Sequence, residues 1–294
     1  MKTGIVQCSP TYQRIQNLEP IYFSVMVNFN NKVVWITGAS SGIGEALAYA
    51  FAKQGSKLVL SARREEELQR VKKATKLPVQ QVFILPMDMT KSEEFPEKVA
   101  TAINYFGQID IVVHNAGISQ RSLVKDTPLL VDRMLMEVNF FGVVALTKAI
   151  LPHTIARKAG HFVVISSIAG KLGTPMRSTY AASKHALHGF FDSLRAEFWQ
   201  ENIKVTIICP GYIKTAISIN ALNETGNKYN KMDENQEKGL SVEVCATEIL
   251  NAVKKEKLEV YIGRFEVLGV YLKRFFPGIL SRVLRNLHIK TKEV

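Results

Sequence analysis

Val33-Val-Trp-Ile-Thr-Gly-Ala-Ser-Ser-Gly-Ile-Gly44 is the stretch on which the fold turns. A short apolar run rich in β-branched residues leads into a turn with three glycines, and a helix-length segment over 43–54 follows. Such a strand, buried on both faces, delivers the chain to a helix N-terminus, where free backbone N–H groups and the positive end of the helix favour an anion. Gly38, Gly42 and Gly44 permit a tight turn and close approach of a phosphate to the backbone. With strand and helix both in place, a nucleotide site is the better reading than a bare glycine turn.

The rest of the chain repeats that rhythm. Lys57–Ser61, Val82–Leu85, Ile109–Val113, His161–Ile165, Lys204–Ile208 and Glu259–Ile262 read as further strands. Helix-length segments over 64–75, 93–106, 129–155, 180–201 and 241–254 lie between them. About seven strands alternating with helices predict a doubly wound α/β fold, a parallel sheet with helices on both faces. Ligands of such sheets sit beyond the carboxyl ends of the strands, so function is to be sought after each strand. Residues 212–239 break the rhythm: polar and rich in Asn and Lys, they are long for a connection and read as a lid over the substrate.

The composition of the 294 residues fits one large core, and 47% hydrophobic against 22% charged residues excludes a disordered chain. Cys8, Cys209 and Cys245 are far apart and odd in number, so neither a disulfide framework nor a metal site is expected, and a reducing compartment is the default. The first 31 residues hold no sustained apolar run; a secretory signal is not expected, and the working domain is expected to begin near Met26. Residues 1–31 are taken as an extension, 32–262 as the catalytic domain and 263–294 as a tail. No uninterrupted apolar stretch reaches the roughly 18–20 residues of a membrane span. The formal charge of +12 is compatible with nucleic acid, an anionic membrane or a phosphorylated ligand.

The spacing Thr37-Gly-x-x-x-Gly-Ile-Gly44 resembles the glycine motif of the short-chain dehydrogenase/reductase family. Over roughly 33–262 further elements follow in order: Asn115-Ala-Gly117, Asn139, Ser167, Tyr180-Ala-Ala-Ser-Lys184 and Pro210-Gly-Tyr-Ile-Lys-Thr215. The resemblance implies a Rossmann-type fold, an oxidoreductase acting on alcohol and carbonyl groups with a nicotinamide cofactor, and a homodimer or homotetramer. Ile118-Ser-Gln-Arg-Ser122 and the tail resemble in particular the family's members 7 and 7B and its 11β-hydroxysteroid dehydrogenase-like group.

The chemistry can be reasoned from the residues. Tyr180 and Lys184 are four positions apart in a helical segment and share a face. A phenol is a weak acid at neutral pH (reference pKa about 10), and a neighbouring ammonium makes it a stronger one. Tyr180 can then give a proton to a carbonyl oxygen as hydride arrives at carbon, or run the reverse. The resemblance implies that Ser167 steadies the substrate oxygen, that Lys184 also holds the nicotinamide ribose, and that Asn139 holds a water linking Lys184 to solvent. It further implies a cofactor cradle of Gly38, Ser40, Ser41, Gly42, Ile43, Gly44, Asn115, Ala116, Gly117, Pro210, Gly211, Ile213 and Thr215, together with Tyr180 and Lys184.

The second strand ends Leu60-Ser-Ala-Arg-Arg64, with Ala62 where NAD-type members carry Asp. Arg63 and Arg64 suit the 2′-phosphate of NADP(H), and Ser40 is a further contact. Asp88 matches the family's contact to the adenine amine; a helix-capping role competes with that reading. Ile168, Leu172, Pro175, Met176 and Tyr212 give the substrate pocket an apolar wall, which favours a hydrophobic lipid-, steroid- or retinoid-like ketone or aldehyde. An NAD-dependent hydroxysteroid or alcohol dehydrogenase working oxidatively, and a non-catalytic dinucleotide sensor, are the rival readings.

In the tail, Leu268, Tyr271, Leu272, Phe275 and Phe276 fall on one helical face before Pro277-Gly278 breaks it. A second piece sets Ile279, Leu280, Val283, Leu284 and Leu287 against Arg282 and Arg285. This pattern suits peripheral membrane contact through 264–288, and a tail packed on its own domain or on a second subunit competes closely. The tail's Arg264, Lys273, Arg274, Arg282, Arg285, Lys290 and Lys292 against Glu266 and Glu293 place much of the charge excess there. Nucleic-acid binding is therefore not expected. A cytoplasmic, non-secreted protein, peripherally membrane-associated through this tail, is the expectation.

Overall fold

A computed structural model describes residues 26–292, with side chains through Asn286. The extension expected over 1–25, including Cys8, lies outside the described residues. Seven parallel strands form one sheet in the order β3-β2-β1-β4-β5-β6-β7. They are β1 Val33–Thr37, β2 Lys57–Ser61, β3 Val82–Ile84, β4 Ile111–His114, β5 Gly160–Ile165, β6 Ile203–Pro210 and β7 Glu259–Ile262. The helices are α1 Gly42–Lys53, α2 Glu65–Thr75, α3 Phe95–Phe106, α4 Leu129–Met136, α5 Gly142–Arg157, α6 Ser178–Glu197, α7 Glu234–Glu237, α8 Val242–Lys254, α9 Leu268–Phe275 and α10 Pro277–Lys292.

Side chains of a strand alternate between faces, and β1 shows what that does. Val34 and Ile36 enter one core with Leu47 and Phe51 of α1, Leu68 of α2 and Ile249 of α8. Val33 and Trp35 enter the other with Phe95 of α3, Leu146 of α5 and Phe191 of α6. The sheet is thus covered on both sides, as a parallel sheet requires. Strand order reverses between β1 and β4, which opens a crevice at their carboxyl ends.

The expected boundaries shift where polar groups intervene. Strand β4 starts at Ile111 and not at Ile109, because the carboxylate of Asp110 accepts the N–H of Val33 at 2.9 Å and pairs with Arg157 at 2.9 Å. The single helix expected over 129–155 is divided by a wide π-type turn over Glu137–Phe141. By length and mean hydropathy the whole run Leu129–Arg157 could cross a bilayer, although Asp132, Arg133, Glu137 and Lys148 interrupt it. Its Val143, Leu146 and Ile150, however, are buried in the sheet core.

The 212–239 segment arches over the crevice. It is tied down by Leu222, whose N–H donates to Ser119 O at 2.8 Å and whose carbonyl accepts the N–H of Arg121 at 2.8 Å. The tail breaks at Pro277 into α9 and α10 as expected. One side of it packs on its own domain, with Leu280 buried against Ile168 and Leu172, and with Val267, Leu272 and Leu284 half-buried around them.

Candidate active site

The crevice between β1 and β4 is knitted by hydrogen bonds from the strand ends. Thr37 Oγ1 donates to Val113 O at 3.2 Å and accepts the N–H groups of Asn115 and Ala116 at 3.0 and 3.1 Å. Asn115 Nδ2 donates to the carbonyls of Thr37 and Gly38 at 2.9 and 3.1 Å. Gly38 and Gly42 have φ of 64° and 60°, a left-handed backbone that favours glycine. Gly44 is required for space: a Cβ there would lie 2.3 Å from Gly38 O and 2.5 Å from Asn115 Nδ2. Gly44 consequently lies behind the cavity surface and packs α1 against the turn; it does not line the cavity as the cradle reading expected. Gly38, Ser40, Ser41, Gly42, Ile43 and Thr215 do line it.

One cavity of about 1580 Å³ runs from this turn to the C-terminal helices. That exceeds the ~300–1,000 Å³ of a site for one drug-sized ligand. It is large enough for a dinucleotide and a second molecule, and Gly38 and Gly42 put no side chain into its near end. Lys184 and Tyr180 of α6 line it, as does Ser167, two residues past the end of β5. Lys184 Nζ donates to Ile165 O at 2.8 Å and lies 6.0 Å from the centre of the Tyr180 ring. Burial pushes the Lys184 ammonium down from the usual lysine range to about 8. Ser167 Oγ accepts the N–H of Ala169 at 3.1 Å and donates to Pro210 O at 3.3 Å, which fixes its rotamer.

Asn139 lies beneath the cavity surface. It is fully buried in the π-type turn and does not line the cavity. Its Oδ1 accepts the N–H of Ile118 at 2.8 Å, and its Nδ2 donates to Ile118 O and Ser183 Oγ at 2.9 and 3.1 Å. One amide hydrogen goes to the Ile118 carbonyl and the other to Ser183 Oγ, so the side chain holds the Ile118 backbone, and a water there would be held through an acceptor oxygen.

At the far end of the cradle Arg63 and Arg64 line the cavity, exposed and without an ion-pair partner among the described residues. Ser40 and Asp88 line it too. Asp88 Oδ1 accepts from the N–H and hydroxyl of Thr90 at 3.0 and 2.9 Å, a local turn and not the helix cap that was the alternative. The sequence reading passed over Arg70, which reaches Glu45 at 2.7 Å and the carbonyl of Ser40 at 3.4 Å and so pins the glycine turn to α2.

The end of the cavity away from the glycine turn is walled by Ile168, Leu172 and Tyr212. Met176 is not part of it: a left-handed backbone at φ 63° turns this residue out of the lining, and its carbonyl accepts the N–H of Ser122 at 3.3 Å. Arg121 and Arg177 line the cavity instead and converge on Asp233 of the lid, at 3.4 and 2.8 Å. Burial, with Arg177 nearby, pulls the Arg121 guanidinium down to about 10, which leaves it charged at neutral pH. Gln120 is fully buried, and its Oε1 accepts the N–H groups of Thr179 and Tyr180 at 3.0 and 3.3 Å, capping the helix that carries Tyr180. Glu266 accepts the N–H of Tyr212 at 3.0 Å and ties the base of the tail to the site. In sequence these polar residues look like any loop residues; nothing in their spacing marks them as buried.

Comparison with known proteins agrees with this geometry. The family model described as short chain dehydrogenase matches residues 32–226. A dehydrogenase/reductase SDR family protein 7-like of Anopheles gambiae is 46% identical over 266 residues, covering 88% of this chain and 84% of that protein. Dehydrogenase/reductase SDR family member 7B of Mus musculus is 42% identical over 261 residues, 87% and 81% of the two chains. Among solved structures, a short-chain dehydrogenase/reductase of Burkholderia phymatum in complex with NAD superposes with a TM-score of 0.77 at 23% identity, covering 85% of this chain and 95% of that one. An alcohol dehydrogenase of Thermococcus sibiricus complexed with 5-hydroxy-NADP gives 0.68 at 26% identity, covering 80% and 97%. From its glycine turn to its Tyr-Lys helix, the chain belongs to the short-chain dehydrogenase/reductase family of nicotinamide-dependent oxidoreductases.

Proposed function

We propose that this oxidoreductase reduces a hydrophobic ketone or aldehyde reversibly with NADP(H), and that Tyr180 is the proton donor. The observation that carries the reading is one cavity holding a glycine phosphate cradle, a Tyr180–Lys184 pair and an apolar far wall in series. The cradle fits a dinucleotide: Gly38, Gly42 and the N-terminus of α1 leave room where side chains would intrude. Bound there, the nicotinamide supplies the hydride. Ser40, Arg63 and Arg64 would hold the 2′-phosphate, since two guanidiniums with no ion-pair partner among the described residues stand beside Ala62, where a ribose-gripping carboxylate would be needed for NAD.

Tyr180 gives its proton to the carbonyl oxygen as negative charge develops there, and Ser167 turns its hydroxyl hydrogen from the Pro210 carbonyl to the same oxygen. Lys184, positive and buried, strengthens the acid. Ile168, Leu172 and Leu280 exclude water and receive the apolar body of the substrate.

The test is NADPH oxidation with a panel of lipid-like ketones and aldehydes. Tyr180→Phe should lower kcat by ~10²–10⁴-fold; equal turnover by both proteins would refute the assignment, and no turnover by either would favour a non-catalytic sensor. Arg63→Ala should weaken NADPH binding about tenfold and leave NADH binding unchanged. Tighter NADH than NADPH binding by the wild type would favour the oxidative NAD-dependent reading.

A further inference from the structure

We infer that the outward face of α9 and the start of α10 is a docking surface for an anionic lipid bilayer. Only one side of these helices is used by the domain, through Leu280 and the half-buried residues around it. Beside that contact Leu268, Tyr271, Phe275, Phe276, Ile279 and Val283 stand 46–68% exposed. Isolated exposed apolar residues are ordinary; six on one helical pair, three of them aromatic, form a patch of the kind that meets another apolar phase.

The charges around the patch decide which phase. Arg264, Lys273, Arg274, Arg282 and Arg285 are all exposed, and none has an ion-pair partner among the described residues. Glu266 is the one acidic residue between 263 and 286, and its Oε1 is turned inward to the N–H of Tyr212. A second copy pairing through this face about a two-fold axis would set like charges against like, with no carboxylates to offset them. An anionic bilayer answers both features at once, headgroups to the cations and acyl chains to the rings.

The position of the patch supports the same occupant. Leu268, Tyr271, Phe275, Phe276 and Val283 also line the cavity, so the apolar end of the site meets solvent between the very side chains that would enter the lipid. Docking in this orientation closes the gap between cavity and membrane. The inference concerns the surface alone and stands or falls independently of the reaction proposed above.

Flotation of the full chain with phosphatidylcholine vesicles, with and without phosphatidylserine, tests it. Binding should be at least about tenfold stronger with phosphatidylserine and should weaken with salt. Phe275→Ser/Phe276→Ser and, separately, Lys273→Glu/Arg274→Glu should each lower it about tenfold; the second pair keeps every apolar contact of the tail. For a local readout, Trp199→Phe/Phe275→Trp leaves only the fully buried Trp35 as background among the described residues. Brominated acyl chains should quench the introduced indole. Undiminished flotation of both double variants, or no quenching, overturns the inference. So does a smaller sedimenting species for Phe275→Ser/Phe276→Ser than for wild type without vesicles, which would assign the face to a second copy.

Discussion

Lys184 is a full positive charge in a place that disfavours one. Burial holds its ammonium near 8, so it is mostly protonated at neutral pH and loses its proton through the mildly alkaline range. With the proton gone, Tyr180 is a weaker acid. The value of kcat/KM for carbonyl reduction should therefore fall as pH rises through about 8. Initial rates of NADPH oxidation between about pH 6 and 10 measure it, and a flat profile would contradict the role given to Lys184. Stability moves the opposite way. The unfolded chain keeps this proton to about 10.4, so between the two values the folded state binds fewer protons and gains as pH rises. The Tyr180-x-x-x-Lys184 spacing was legible because helix geometry forces both side chains onto one face. Burial was not, since it comes from strands β5 and β6 packed beneath; nor was the polar scaffold of Gln120 and Arg121, which depends on chain brought in from residues 177–233.

Two elements hold the site closed by ion pairs that cross between segments. Asp233 fastens the lid to Arg121 and Arg177, and removing its charge leaves two guanidiniums facing each other without a counter-ion. Asp233→Asn should raise KM for the carbonyl about three- to tenfold with a smaller effect on kcat, measured by steady-state kinetics. Unchanged KM would show that the lid is held by Leu222 alone. At the sheet edge, Glu259 of β7 reaches Lys171 at 2.7 Å and His188 Nδ1 at 3.3 Å. Burial raises its carboxyl, but His188, Lys171 and Tyr261 outweigh that and hold it at about 2. Unfolded, Glu259 protonates in the ordinary carboxylate range, so its contribution is present above that range and lost as pH falls through about 2. Glu259→Gln should cost about 1–3 kcal/mol at neutral pH after solvent screening, and less in acid, by denaturant titration at both. The lid was legible as a long polar segment out of rhythm with its neighbours. Its latch was not, because nothing local sets Asp233 apart from Glu224, Glu234 and Glu237 in the same segment.

At the scale of the whole molecule, stability and site geometry are carried by different parts. Neither of the two cores flanking the sheet contains a residue beyond Ile262, whereas the tail touches the cavity wall through Leu280. Deleting residues 277–294 should leave the melting temperature within a few degrees and raise KM for an apolar carbonyl about tenfold, since roughly 1–2 kcal/mol of apolar contact is withdrawn. A large fall in melting temperature would place the tail in the core after all. The alternation of strands and helices was legible throughout, because a sheet covered on both faces writes continuous apolar runs. The tail's two neighbours could not be separated by periodicity: an amphipathic stripe looks the same whether it faces protein or lipid. Leu280 and Phe275 differ only in what the fold brings beside them.

The wide turn over Glu137–Phe141 has a meaning for phase. One extra residue in the hydrogen-bond ladder turns everything after it by about a hundred degrees relative to an unbroken helix. The run from Leu129 to Arg157 therefore carries two apolar stripes out of step: Val131 and Leu135 face the Tyr180 cluster, while Val143, Leu146 and Ile150 face the sheet. A straight helix could satisfy one stripe and would swing the other toward water. Removing a single residue there would leave each half intact and set the two in conflict, a frame error in space with the reading frame of the gene undisturbed.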